Sequence, residues 1–183
     1  MRIIRGKFAG KSILPPKSIL TRPTSGKVRQ AIFNIIEHHA DIPSIHNAVV
    51  LDTFAGTGAL GLEALSRGAA KAIFVDNHRD AILNLYNIIH QWGLYHQATF
   101  LNQNVLSLSR APLMIDIVFC DPPYKKNLVN LTLSHLKHQG WLTINTVVVA
   151  EMHKNDDISV DFPVKLIQEK RYGDTNVIFL TLG

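Results

Sequence analysis

Short apolar runs alternate along this chain with longer segments in which apolar side chains return every three or four positions. Ala48-Val49-Val50-Leu51-Asp52, Lys71-Ala72-Ile73-Phe74-Val75 and residues 114–120 have the length and β-branched content of buried strands. Residues 98–101 and 147–151 read the same way. Helices are predicted between them. The first opens at Arg22-Pro23-Thr24-Ser25 and runs to about His39, with Thr24 or Ser25 as cap and Val28, Ala31, Ile32, Ile35 and Ile36 as its buried stripe. Others cover residues 62–67, 80–91 and 128–136. The tail supplies two further strands, 164–169 and 177–182, joined through Tyr172-Gly173-Asp174 as an antiparallel hairpin. This alternation describes an α/β fold: a Rossmann-like, doubly wound, mostly parallel sheet with an antiparallel C-terminal hairpin.

Composition adds bounds. A chain of 183 residues with 46% hydrophobic content suits one domain with a substantial core. No apolar stretch approaches the roughly 20 residues of a membrane span, and the start, Met1-Arg2-Ile3-Ile4-Arg5-Gly6-Lys7, lacks the apolar run of a secretory signal. A cytoplasmic protein without a membrane partner is expected. The single cysteine, Cys120, excludes an internal disulfide framework, and inside a strand it reads as a small buried hydrophobe. The nine histidines lack metal-ligand spacing, so no metal is expected.

Charge changes the picture more. No acidic residue precedes Glu37, yet Arg2, Arg5, Lys7, Lys11, Lys17, Arg22, Lys27 and Arg29 lie before it; the other eleven Lys and Arg face all fourteen acids. With Gly6, Gly10 and Pro15-Pro16, residues 1–20 read as a basic extension, a hairpin or extended arm, ahead of a main domain at 21–183. Ile3, Ile4, Phe8, Ile13 and Leu14 predict that the arm packs on something. A basic arm on a mildly acidic domain is the electrostatic footprint expected for nucleic acid. Lys27 and Arg29, off the predicted stripe, are expected to face phosphates.

The candidate chemistry sits at strand ends. After the 48–52 strand, Thr53-Phe54-Ala55-Gly56-Thr57-Gly58-Ala59-Leu60-Gly61 matches G-x-G-x-x-G between a strand and a helix, the context that gives the motif meaning. Asp76 closes the next strand, at the offset where a carboxylate accepts hydrogen bonds from a ribose diol. Such a loop serves dinucleotides and S-adenosylmethionine (SAM) alike, and Asp52 separates them. A carboxylate ahead of the glycines repels a pyrophosphate but attracts the ammonium and sulfonium of SAM. Asp121-Pro122-Pro123-Tyr124 closes the 114–120 strand. Its prolines remove two donors and keep the chain extended, leaving the Asp121 carboxylate and the Asp121 and Pro122 carbonyls as acceptors for an amino group. Tyr124 offers a ring on which a planar group stacks.

Three segments carry a resemblance: Arg22-Pro-Thr-Ser-Gly-Lys-Val-Arg-Gln-Ala-Ile-Phe-Asn34, Leu51-Asp-Thr-Phe-Ala-Gly-Thr-Gly-Ala-Leu-Gly-Leu-Glu-Ala-Leu-Ser-Arg-Gly68 and Asp121-Pro-Pro-Tyr124. With Arg2-Ile-Ile-Arg-Gly-Lys-Phe-Ala-Gly10 and Lys170-Arg-Tyr-Gly173, they make the chain resemble the RsmD family of 16S ribosomal RNA guanine-N2 methyltransferases, class I SAM-dependent enzymes. Gly26, Lys27 and Gln30 depart from the family's Asp, Arg and Glu, and Asn104 stands where an Asp beside the adenine is usual. The resemblance implies catalytic roles for Asp121, Pro122 and Tyr124. It implies SAM contacts at Asp52, Phe54, Gly56, Gly58, Asp76, Asn77, Asn104, Val105 and Asp121. For nucleic acid it implies Arg2, Arg5, Lys7, Lys11, Arg22, Thr24, Lys27 and Arg29, with 16S ribosomal RNA or the small ribosomal subunit as partner to a monomer. The residues by themselves leave two alternatives open: another exocyclic amine, adenine N6 or cytosine N4, of RNA or DNA, and a non-catalytic RNA-binding assembly factor.

Overall fold

The computed structural model describes residues 1–15, 25–123 and 127–183, so Arg22, Thr24 and Tyr124 lie outside the described residues. In chain order the elements are α1 (Gly26–His38), β1 (Val49–Asp52), α2 (Ala59–Ser66), β2 (Lys71–Val75), α3 (Arg79–Gln91), β3 (Ala98–Leu101), β4 (Ile117–Cys120), α4 (Leu128–His138), β5 (Val147–His153), β6 (Val164–Tyr172) and β7 (Thr175–Leu182). Short 3₁₀ turns at Tyr95–Gln97 and Val105–Ser107 flank β3. Every predicted strand and helix is present, with boundaries moved by a few residues.

One seven-stranded sheet runs in the order β3-β2-β1-β4-β5-β7-β6. The first five strands are parallel, and β7 enters antiparallel between β5 and β6. Strand order reverses between β1 and β4, which makes the crevice at their carboxyl ends the place where such sheets bind ligands. The parallel strands are covered on both faces, as their unbroken apolar runs require: Ile117, Val118, Phe119 and Cys120 of β4 are all buried. Helices α1, α2 and α3 pack on one face around Phe33, Leu62, Leu85 and Phe119. Helix α4 and the Val105–Ser107 turn pack on the other, around Val118, Leu133, Val148 and Ile178. Cys120 lies in this second core, where burial pushes its thiol up to about 12.

Ser25 caps α1, its Oγ accepting from Val28 N at 3.2 Å. The buried face of this helix is rotated from the predicted stripe. Val28, Ile32 and Ile36 are buried, Ala31 and Ile35 only half-buried, while Phe33 and Arg29 are buried in their place. The expectation that Arg29 lies off the stripe and faces phosphates is therefore corrected. Its guanidinium is enclosed, donating from Nη2 to Arg2 O at 2.6 Å and from Nη1 to Met1 Sδ at 3.2 Å, with Nε 3.8 Å from Glu63 Oε2. Lys27 is exposed as expected.

Residues 1–15 fold back on themselves, with Arg2 bridging Ser12, Gly10 N donating to Ile3 O and Ile13 N donating to Met1 O. Ile3, Phe8 and Ile13 join the α1–α2–α3 core, whereas Leu14 is exposed. Phe8 stacks at 4.8 Å on Trp92, the residue that closes α3. Glu63 of α2, fully buried, fastens this segment down. Its carboxylate accepts from Ile4 N at 2.8 Å and Arg5 N at 3.0 Å and is neutralised by Arg67 at 2.8 Å. Arg67 also pairs with Glu37 of α1. A buried carboxylate persists only when its oxygens are met in this way.

Candidate active site

The crevice is built from three loops at the carboxyl ends of β1, β2 and β4. The loop after β1 is fixed by its backbone: Thr53 donates to Phe119 O through both N and Oγ1, at 3.0 and 2.9 Å, and Ala55 N donates to Val75 O at 3.0 Å. Next come the glycines. Gly58, the cap residue of α2, has φ +74, and a Cβ there would lie 2.1 Å from Leu85 Cδ2. At Gly61 a Cβ would lie 2.3 Å from Phe74 Cε1, so only glycine lets α2 approach β2 this closely. The first and second glycines shape the loop; the third seats the helix.

Three acidic residues converge here. Asp52 is buried, and its Oδ2 accepts from Gly61 N at 3.0 Å, tying the end of β1 to the first turn of α2. Burial pushes its carboxyl up to about 7, against the lowering effect of the Gly61 bond, and the nearby carboxylates of Asp121 and Asp76 add to the rise. Asp76 Oδ2 accepts from Gly56 N at 2.7 Å, and its Oδ1 accepts from His78 N at 2.8 Å. Oδ1 also lies 3.1 Å from His78 Nδ1, whereas Oδ2 keeps a second lone pair on which a ribose hydroxyl can be received. Asp121 is half-buried beyond β4, followed by buried Pro122 and exposed Pro123.

The remaining predicted contacts fall along the same edge. Phe54 is half-buried against the second core, Asn77 is exposed after Asp76, and Asn104 is exposed with Val105 buried behind it. The Asn104 side chain caps the Val105–Ser107 turn, its Oδ1 accepting from Leu106 N at 2.9 Å. Beside the Asp121 turn, a hollow of about 330 Å³ opens between the start of α4 and the end of β5, lined by Asn127, Asn130, Met152, Asp156 and Asp157 among others. The register places it next to the turn, since Cys120 pairs with Ala150 and Met152 follows two residues on.

Lys7, Arg5 and Lys11 are exposed but do not lie at this crevice. Lys7 N donates to Ser66 O at the last residue of α2, and Arg5 pairs at 3.2 Å with Glu37 in the last turn of α1. Both helices end at the opposite, amino edge of the sheet. Arg2 is exposed on the strand-like stretch that returns toward Met1, whose sulfur lies 3.7 Å from Thr57 Oγ1 in the glycine loop. Glu63 and Thr53 were not among the expected site residues. Glu63 had a legible signal, an acid in an otherwise apolar helix whose buried positions surround it on all sides; the link from Thr53 to β4 had none.

The arrangement suits a cationic nucleoside cofactor: glycines that admit backbone contact, a buried carboxylate at the loop, an acceptor for the ribose and, near Asp52, an acidic turn whose two prolines carry no N–H. Comparisons with known proteins agree. The family described as conserved hypothetical protein 95 matches residues 1–181. Ribosomal RNA small subunit methyltransferase D of Haemophilus influenzae is 32% identical over 94% of this chain and 89% of its own, and its Escherichia coli K12 counterpart is 36% identical over 82% and 74%. The solved structure of the Escherichia coli yhhF protein superposes with a TM-score of 0.85 at 32% identity, covering 100% of this chain and 97% of that one. The fold alone is shared with an RNA methyltransferase of Salinibacter ruber solved with S-adenosyl-L-homocysteine, at 15% identity and a TM-score of 0.64 over 87% and 93% of the two chains. The chain belongs to the RsmD family of class I methyltransferases.

Proposed function

We propose that the protein transfers a methyl group from SAM to the exocyclic N2 of a guanine in 16S ribosomal RNA, acting as a monomer in the cytoplasm. The observation that carries this reading is the acidic turn after β4, set beside Asp52 and the glycine loop in a chain whose relatives are named for ribosomal RNA methylation. Among the described residues, no helix is long and apolar enough to cross a membrane. When bound, SAM supplies an electrophilic methyl on a sulfonium.

The residues of the chain supply position and charge. Gly56, Gly58 and Gly61 let the loop and α2 close on the cofactor; Asp52 and Asp76 favour its cationic end and its ribose. The guanine N2 lone pair is delocalised into the ring, so the amine must be held and its developing positive charge favoured. Asp121 and the Pro122 carbonyl do both as acceptors, and Tyr124 stacks on the base, worth on the order of 1 to 3 kcal/mol. Positioning and electrostatics thus provide the rate. A paired guanine hides N2 in the helix, so the target is unpaired or extruded.

Incubation with tritiated SAM and small-subunit particles lacking the modification, followed by nucleoside analysis, tests this. Label in N2-methylguanosine is expected. Label in methyladenosine or methylcytidine would shift the reading to another amine, and SAM binding without transfer to any RNA would leave an assembly factor.

A further inference from the structure

The hollow beside the Asp121 turn lies outside the cofactor crevice, and its place in the sheet gives it a role. Strands run in the order β2-β1-β4-β5, so the glycine loop and Asp76 lie on one side of the turn and the hollow on the other. Cys120 pairs with Ala150, which brings Asp121 and Pro122 out of β4 level with Glu151 and Met152, and Met152 lines the hollow. A group seated there meets the turn from the side opposite the cofactor. Its volume of about 330 Å³ suits a single planar base.

The walls of the hollow are braced before any ligand arrives. Buried Asn130, in the first turn of α4, donates from Nδ2 to Asn127 Oδ1 at 2.9 Å and to Asp157 O at 3.0 Å, and its Oδ1 accepts from Ser159 N at 2.9 Å. Asp156 N donates to His153 O at 2.9 Å. Between these fixed points the side chains of Asp156, half-buried, and Asp157, exposed, have no hydrogen bond or ion pair among the described residues. A third acceptor stands beside Met152. Asn176, directly across from it on β7, is 2% exposed, and its Nδ2 donates to Glu169 Oε1 on β6 at 2.8 Å. The amide oxygen is thereby turned the other way, toward β5, where it has no hydrogen-bond partner. A buried acceptor left open in this manner calls for a donor from outside the chain.

Acceptors on both sides of a base-sized space select a base by the edge it offers. Guanine places two donors side by side, N1–H and the N2 amine. Adenine and cytosine place a ring-nitrogen lone pair next to theirs. We propose that the hollow seats the target base and that Asp156 reads it as guanine, accepting from N1–H while the Asp121 turn holds N2. The same carboxylate opposes the lone pair of adenine N1 or cytosine N3, so bases whose amines the turn would accept are sorted by the neighbouring ring nitrogen. This inference deepens the guanine reading above and rests on it.

Small-subunit particles reconstituted with 16S ribosomal RNA that carries 2-aminopurine at the labelled guanine test it, since this base keeps the amine but has an unprotonated N1. The wild type is expected to prefer guanine by about 10- to 100-fold in kcat/KM, the range for a hydrogen bond to a charged group. Asp156→Asn, whose amide can donate to N1, is expected to lose most of that preference with unchanged SAM affinity in calorimetry. A merely structural role for Asp156 predicts an equal fall on both substrates with the preference kept. That result, or a wild type that methylates both bases alike, overturns the assignment and leaves guanine methylation standing. Label in methyladenosine or methylcytidine, or in no RNA at all, removes the guanine reading and this inference with it.

Discussion

The two edges of the sheet handle buried charge in opposite ways. At the amino edge Glu63 is fully enclosed yet meets two backbone amides and Arg67, with Arg29 nearby, so its charge is satisfied and it behaves as a fastener. Asp52 at the carboxyl edge is also buried, but among the described residues its carboxylate meets the amide of Gly61 and no cation, and its charged neighbours are the carboxylates of Asp121 and Asp76. One edge stabilises the fold; at the other, burial and like charge disfavour an ionised carboxylate, a cost that a cationic ligand would relieve. Burial alone does not tell a structural acid from a functional one, whereas the sign of its neighbours does.

Four substitutions sharpen the contrast. Glu63→Ala leaves Arg67 and Arg29 buried without their carboxylate and is expected to cost about 3 to 5 kcal/mol of stability, read as a shift of the denaturant midpoint. A midpoint that stays put would show that the amino edge is not held by this acid. Asp121→Ala is expected to raise the barrier by about 2 to 4 kcal/mol, read as kcat at saturating SAM. Near-normal turnover would remove Asp121 from its role. Gly58→Ala, at positive φ and against Leu85, is expected to cost about 1 to 3 kcal/mol, measured as lost stability together with weaker SAM binding in calorimetry.

The fourth concerns pH. The folded pKa of Asp52, about 7, lies above the ordinary carboxyl value of 3.8, so between the two the folded state retains a proton that the unfolded chain has released. Stability from this group is greatest below about pH 4, falls as pH rises toward 7 and is flat beyond. A cationic cofactor favours the ionised form, so SAM affinity is expected to rise over the same interval and level off above it. Asp52→Asn should flatten both curves and weaken SAM binding a few-fold at pH 8. Unchanged profiles in that variant would place the titration on another group.

Much of this was legible from the chain. Strands buried on both faces write themselves as continuous apolar runs, and β2 and β3 fall on the expected residues; the glycine loop announces itself by spacing between strand and helix. Arg29 was misplaced because a stripe drawn through hydrophobic residues alone passes over a charged one. Arg29, Phe33 and Ile36 fall at i, i+4 and i+7, one helical face, and that spacing was the available signal. The charge of residues 2–11 was equally plain, but its destination was not. Position relative to the crevice depends on contacts with residues 37, 66 and 92, which no local pattern encodes.

The Phe8–Trp92 stack also sets a delay in synthesis. Phe8 leaves the ribosome 84 residues ahead of its partner, a wait of about 4 to 17 s at the usual rate of chain growth. For that interval Phe8 lacks its stacking partner, and residues 1–36 carry basic side chains without an acidic one. Like charge along residues 2–29 opposes association of such segments over that wait.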